Sequence, residues 1–216
     1  MSAASKGPIA WSPAPGRSDA TSTRGRRTRN RILRSAMTVF GKRGFADTTV
    51  LDIAEHAGMA SGTVYQYFED KGDIFRCLLQ DLTDRLHRET RMPADDSGRL
   101  IVRDSVLAYL AVYREYAPIF RAWWELLEPP TEFTEAWMAL HNKSRGEMVR
   151  VIEDGKRRGM IDAKVDTEIT ADLVVAAFER PVYTKIVLGW DDHSDEELAD
   201  LMSRLLGTGL GTESVS

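Results

Sequence analysis

The stretch DIAEHAGMASGTVYQYF, Asp52 to Phe68, leaves a chain few ways to fold. Two short segments with helical spacing flank a glycine, and no alternating apolar pattern competes with them. Ala54 is small enough for two helices to cross closely, and Gly58 can take the positive φ that a tight turn between them demands. Val64 and Phe68 stand one helical turn apart and are expected to face a core. Successive helical positions point about 100° apart, so Tyr65, Gln66 and Tyr67 cannot all share that face. The pair is a helix-turn-helix candidate, and its outward surface can enter a DNA major groove. Glutamine can pair bidentately with adenine; tyrosine offers a hydroxyl to phosphate and a ring to a thymine methyl. Taken alone, the pattern also describes an ordinary helix pair with exposed tyrosines.

Charge distribution favours the DNA reading more than total charge does. The 216-residue chain carries a formal net charge of -4. Yet RGRRTRNRILRSAMTVFGKR, Arg24 to Arg43, contains no Asp or Glu. A local basic stripe is what a phosphate backbone requires. Lys71, at the start of the next helix, adds charge where backbone N–H groups already favour anions.

Helical spacing continues along the rest of the chain, and the expected fold class is all-α. Residues 1–23, rich in Ser, Ala, Pro and Gly, are expected to be a disordered tail, with Trp11 an exposed aromatic. Ile32, Leu33, Ala36, Met37 and Phe40 mark a first helix, closed by Gly44 and Phe45. Thr48 or Thr49 caps the second helix, and Asp70 caps a longer one that ends before Pro93. A helix over about 98–116 is expected, then another opened by Pro118 and broken by Glu128–Pro130. The spacing from Phe133 to Gly155 predicts one long helix that stops at Gly159. Asp166 opens the next, with a kink at Pro181, and Ser194 with Glu197 forms a capping box for the last. The expected organisation is a tail at 1–23, a DNA-binding domain at 24–70, a larger helical domain at 71–210 and a short tail at 211–216.

Residues 28–79 resemble the DNA-binding domain of the tetracycline-repressor (TetR) family of transcriptional regulators. The likeness is carried by RILRSAMTVFGKRGFADTTVLDIAEHAGMASGTVYQYFEDKGDIF, above all by TTVLDIAEHAG, GTVYQYF and the lysine that follows the phenylalanine. It implies a three-helix helix-turn-helix domain followed by a helical domain for ligand binding and dimerisation. It implies a homodimer on palindromic double-stranded operator DNA, released by a small-molecule effector. Thr63, Tyr65 and Tyr67 would contact phosphate or base, Gln66 would vary with the operator, and Lys71 would contact phosphate. Arg26, Arg27 and Arg29 would extend the footprint as an arm, with Thr48, Thr49, Ser61 and Gly62 completing the surface. The recognition-helix cap is usually Ser or Thr in the family but is Ala60 here; Ser61 is expected to take the cap over by shifting the start one residue.

In the C-terminal part the aromatic residues are dense: Tyr109, Tyr113, Phe120, Trp123, Trp124, Phe133, Trp137, Phe178 and Tyr183. Core packing explains most of them, but adjacent Trp123 and Trp124 cannot point into one core. The resemblance makes Tyr109, Tyr113, Phe120, Trp123, Trp124, Trp137, His141, Phe178 and Tyr183 an expected pocket for an apolar or aromatic effector, with Arg121 and Glu125 as further polar partners. Leu173 and Val174, with Leu198, Leu201 and Leu205, give more apolar face than one small domain needs, and are the expected dimer interface. No metal-ligand spacing, nucleophile motif or phosphate-binding glycine loop is present, so neither an enzyme nor a cofactor is expected. A redox-responsive repressor using the lone cysteine, Cys77, and a ligand-independent repressor are the alternatives. With no apolar run long enough to span a membrane and no signal-peptide pattern, the expected location is the cytoplasm, with no membrane partner.

Overall fold

The computed structural model describes residues 22–89, 102–126, 132–190 and 192–209. Among these are eight α-helices and no strand. The expected N-terminal tail with Trp11, the loop before Val102, Glu128–Pro130 and the last residues lie outside the described part.

α1 covers Thr23–Arg43, α2 Val50–His56, α3 Ser61–Tyr65 and α4 Lys71–Glu89. α1 begins at Thr23, where Ser22 Oγ accepts from Gly25 N at 3.0 Å and satisfies one of the donors that a helix start leaves open. Arg26, Arg27 and Arg29, the expected arm, therefore lie on a helix. Thr49, not Thr48, caps α2, in a reciprocal box with Asp52. Gly58 does take a positive φ, 61°. α3 starts with Ala60 at its cap and no side-chain hydrogen bond there. The expected shift to Ser61 does not occur; Ser61 is already the first helical residue. Asp70 Oδ1 accepts from Asp73 N at 2.7 Å, opening α4 as its sequence implies.

α5 covers Val102–Trp124, α6 Glu132–Arg157, α7 Thr167–Val182 and α8 Asp195–Gly209. α5 runs straight through Pro118, where two helices were expected. The proline costs a ladder hydrogen bond, but its ring fills space against α1. A Cβ on Gly41 would lie 2.5 Å from Pro118 Cβ, so only glycine permits this approach. α6 stops before Gly159, whose φ is 73°. Asp166 caps α7 by accepting from Ile169 N, and Ser194 with Glu197 caps α8 reciprocally. Beyond Pro181 the chain does not break; it widens into a π-helical turn over Tyr183–Leu188, closed by Gly189. Proline removes the N–H that would have bonded Ala177, and a loosened ladder at that point favours the wider register.

The chain forms two compact units that do not follow a division at residue 70. One runs to Asp84 and also takes Tyr116–Ala136; the other takes Arg85–Glu115 and the chain from Trp137. The core of the first contains Ile32, Phe40, Ile53, Val64, Ile74, Phe75, Ile119 and Trp123. Phe45 packs on Phe40, Phe75 and Phe133 at 5.6, 5.1 and 5.6 Å between ring centroids. The core of the second includes Leu110, Val112, Ile152, Ala171 and Ala199. There Arg114 holds Asp195 with two hydrogen bonds, and Arg103 holds Asp200, joining α5 to α8.

Candidate functional site

Apolar burial sets the orientation of the helix-turn-helix. Ile53, Ala54 and Val64 are fully buried and Phe68 nearly so, which leaves the other side of α3 outside. Tyr65 is 52% exposed, Gln66 and Gly62 are exposed, and Ser61, Thr63 and Tyr67 are half-buried. A Cβ on Gly62 would meet nothing within 4 Å, so the approach to α3 is open there. Arg31 reaches across from α1 to donate to Gly58 O at 3.3 Å, pinning the turn between the two helices. Nothing in the local sequence marks Arg31 for that task, because its partner is remote along the chain.

Several residues expected at the DNA surface are engaged elsewhere. Arg26 and Arg27 are exposed, and Arg26 reaches Thr23 Oγ1 at 3.4 Å. Arg29 turns inward, donating to Cys77 Sγ at 3.1 Å and lying 5.3 Å over the Phe68 ring. Thr48 is buried, its hydroxyl donating to Gly44 O at 2.6 Å. Thr49 is exposed but its hydroxyl donates to Asp52, which also receives Arg43. The Thr49 hydrogen bonds, with Arg43 behind them, hold the Asp52 carboxyl below the usual aspartate range. Lys71 Nζ donates to Phe45, Ala46 and Thr48 carbonyl oxygens instead of standing clear.

Cys77 is buried, and burial pushes its thiol up despite the nearby Arg29. A buried thiol with a raised pKa is a weak nucleophile, which weighs against the redox alternative.

The residues expected in an effector pocket divide between the units. Phe120 and Trp123 are buried in the first, stacked at 6.3 Å, while Trp124 is 46% exposed. Arg121 and Glu125 are exposed in the same unit. In the second unit the structure gathers Tyr109, Tyr113 and Phe178, with Tyr109 donating to the Tyr113 hydroxyl at 3.2 Å. His141 Nδ1 lies 3.5 Å from Glu179 Oε1 beside them. Burial pushes the Glu179 carboxyl and both phenols up, with His141 drawing Glu179 partly back. Trp137 and Tyr183 are half-buried. Glu179 was not singled out from sequence; its place directly after Phe178 on an amphipathic helix was the available signal.

Large apolar side chains stand exposed on α7 and α8. Ile169 and Leu173 are 60% and 65% exposed, Leu201 and Leu205 48% and 62%. Each pair is spaced by one helical turn. Leu198 is half-buried, and Val174, expected with Leu173 at an interface, is instead buried at 4% exposure.

Residues 32–78 match the family described as bacterial regulatory proteins, tetR family. The HTH-type transcriptional repressor KstR2 of Rhodococcus jostii (strain RHA1) is 31% identical over 170 residues, covering 72% of this chain and 77% of its own. The structure resembles that of the ketosteroid transcriptional regulator KstR2 of Mycobacterium tuberculosis, with TM-score 0.63, 21% identity, and 86% of this chain and 95% of that one covered. It also resembles SmeT in complex with triclosan, with TM-score 0.65, 20% identity, and 88% and 94% covered. Among the described residues no helix is long and apolar enough to cross a membrane. The helix-turn-helix geometry, the match over it and the extent of likeness to the R. jostii repressor agree: this chain belongs to the TetR family of transcriptional regulators, which are not enzymes.

Proposed function

We propose that the protein is a repressor that binds a palindromic operator as a homodimer and leaves it when a small, largely apolar or aromatic effector binds the second unit. The observation that carries this reading is the outward Tyr65–Gln66 surface, opposite a face of α3 that is fully buried at Val64. Such a short helix can present its side chains to base edges while the exposed Arg26 and Arg27 add field toward phosphate. The regulator would act in the cytoplasm, where its DNA lies.

The exposed pairs Ile169–Leu173 and Leu201–Leu205 support the homodimer, since apolar patches of this kind mark association surfaces. Two α7–α8 pairs would form an isologous four-helix contact, setting two recognition helices about 34 Å apart. The Tyr109–Tyr113–Phe178 group, with His141 and Glu179 at its side, supports the effector site. Aromatic walls with few polar groups suit an aromatic ligand that carries a hydrogen-bonding substituent. SmeT, a structural neighbour, holds triclosan, itself an aromatic molecule.

The test is selection of duplexes from a random-sequence pool by the full-length protein, followed by release with small aromatic compounds. Enrichment of a two-fold symmetric site is expected, with release by at least one compound. Typical coupling of about 1–3 kcal/mol would lower affinity roughly 5- to 150-fold. A pool that emerges no less random than it entered would sink the reading.

A further inference from the structure

Lys71 opens α4, and an ammonium group has three hydrogens to donate. Each has an acceptor: Nζ stands 2.8 Å from Phe45 O, 2.8 Å from Ala46 O and 2.9 Å from Thr48 O. The cation also lies 4.8 Å from the centroid of the Phe45 ring. These carbonyls belong to the turn between α1 and α2, where the chain has left one ladder and not entered the next. Only one weak backbone bond helps there, from Thr48 N to Phe45 O at 3.4 Å. Carbonyls that have left the helical ladder need donors, and Lys71 supplies three: to Ala46 O, to Thr48 O and, beside Thr48 N, to Phe45 O.

The turn leads directly to Thr49, the cap of α2, and α2 carries Ile53 and Ala54 in the buried core behind α3. Fixing the turn thus fixes the seat of the recognition surface. An ammonium whose hydrogens are all spent has none left for a phosphate oxygen. We infer that Lys71 is a positioning residue for DNA recognition: it holds the α1–α2 turn in place and does not make the phosphate contact that the family resemblance implied. The inference rests on the DNA-binding reading above.

The experiment measures affinity against salt for the duplex selected by the full-length protein, using wild type, Lys71→Met and Lys71→Arg. Lys71→Met should weaken binding roughly tenfold, as expected for the loss of charge-assisted bonds. Its slope of log affinity against log salt should match wild type, because no phosphate contact is lost. Lys71→Arg should be weakened as well, since a planar guanidinium cannot aim three tetrahedral hydrogens at one carbonyl cluster. A slope shallower by about 0.9 per subunit in Lys71→Met would overturn the inference. So would full affinity in Lys71→Arg, because arginine serves phosphate at least as well as lysine. Amide exchange in the free protein gives a reading independent of DNA. Faster exchange at Thr48 to Ile53 in Lys71→Met, with the middle of α1 unchanged, supports it, and unchanged exchange there rejects it. Failure of the wild-type protein to select any duplex would count against the DNA-binding reading, and the exchange result would still decide the role of Lys71 in the turn.

Discussion

The indole N–H of Trp123 donates to the carbonyl oxygen of Phe133 at 2.9 Å, inside the first unit. The bond joins the end of α5 to the first turn of α6, and both residues are buried. Phe133 in turn packs edge-on against Phe45 and Phe75. Trp123 is therefore a support for the aromatic cluster beneath the α1–α2 turn.

Trp123→Phe keeps most of the ring but removes a donor from a buried carbonyl. It is expected to cost about 1–3 kcal/mol, and Trp123→Ala about 3–5 kcal/mol through the cavity left behind. Urea titration checks both: the midpoint should fall with little change in slope. Loss of less than about 0.5 kcal/mol in Trp123→Ala would contradict the packing described.

Tyr65 and Gln66 contribute little to the core, so Tyr65→Ala and Gln66→Ala should fold as wild type does. Tyr65→Ala is expected to weaken operator binding for all related sequences. Gln66→Ala should instead relax preference at one base pair per half-site, a difference of about 1–3 kcal/mol between right and wrong bases. Repeating the duplex selection with each variant checks this, and an unaltered preference in Gln66→Ala would make that residue a bystander.

Leu173 and Leu201 present apolar surface to water within one protomer. Leu173→Asp and Leu201→Asp are each expected to give a folded monomer with little operator affinity, because both half-sites are needed for tight binding. Sedimentation equilibrium decides the point. A wild-type monomer at concentrations where DNA is bound would remove the dimer from the proposal.

The Glu179 carboxyl is raised from its ordinary value of 4.5 by burial, with His141 opposing. The folded state then binds protons more readily than the unfolded chain. Any stability this gives is present below the ordinary value and is lost as pH rises through the raised folded value. Glu179→Gln should therefore be more stable than wild type near neutral pH, with the gap closing as pH falls through the raised folded value toward 4.5. Thermal midpoints of the two proteins across that range check the sign, and a gap that widens in acid would refute it.

Features set by neighbours along the chain were legible before the fold was known. Gly58 declared its turn, Asp166 and Ser194 declared their helices, and Val64 with Phe68 declared the inward side of α3. Features set across the chain were not. Pro118 reads as a helix start until Gly41 is known to lie against it. Arg29 reads as a DNA contact until Cys77 and Phe68 are found beneath it. Leu173 and Val174 are equally apolar, and only the packed helix shows which of the two is hidden. Lys71 stands out in the sequence for its charge, whereas its partners exist only once the α1–α2 turn has formed.

The first unit is assembled from two separate stretches of chain, with Tyr116–Ala136 returning to join the segment that ends at Asp84. A hybrid regulator made by grafting residues 24–70 onto another sensor would carry Phe45 away from both Phe75 and Phe133. The graft would keep Phe40 on one side of Phe45 and expose its other side, a patch that favours aggregation. A foreign segment brought into this protein over residues 24–70 would have to supply a ring in the place of Phe45 for Phe75 and Phe133 to pack on. Replacing individual side chains on the outward side of α3 leaves that packing untouched, which makes gradual substitution the less disruptive way to redirect this regulator.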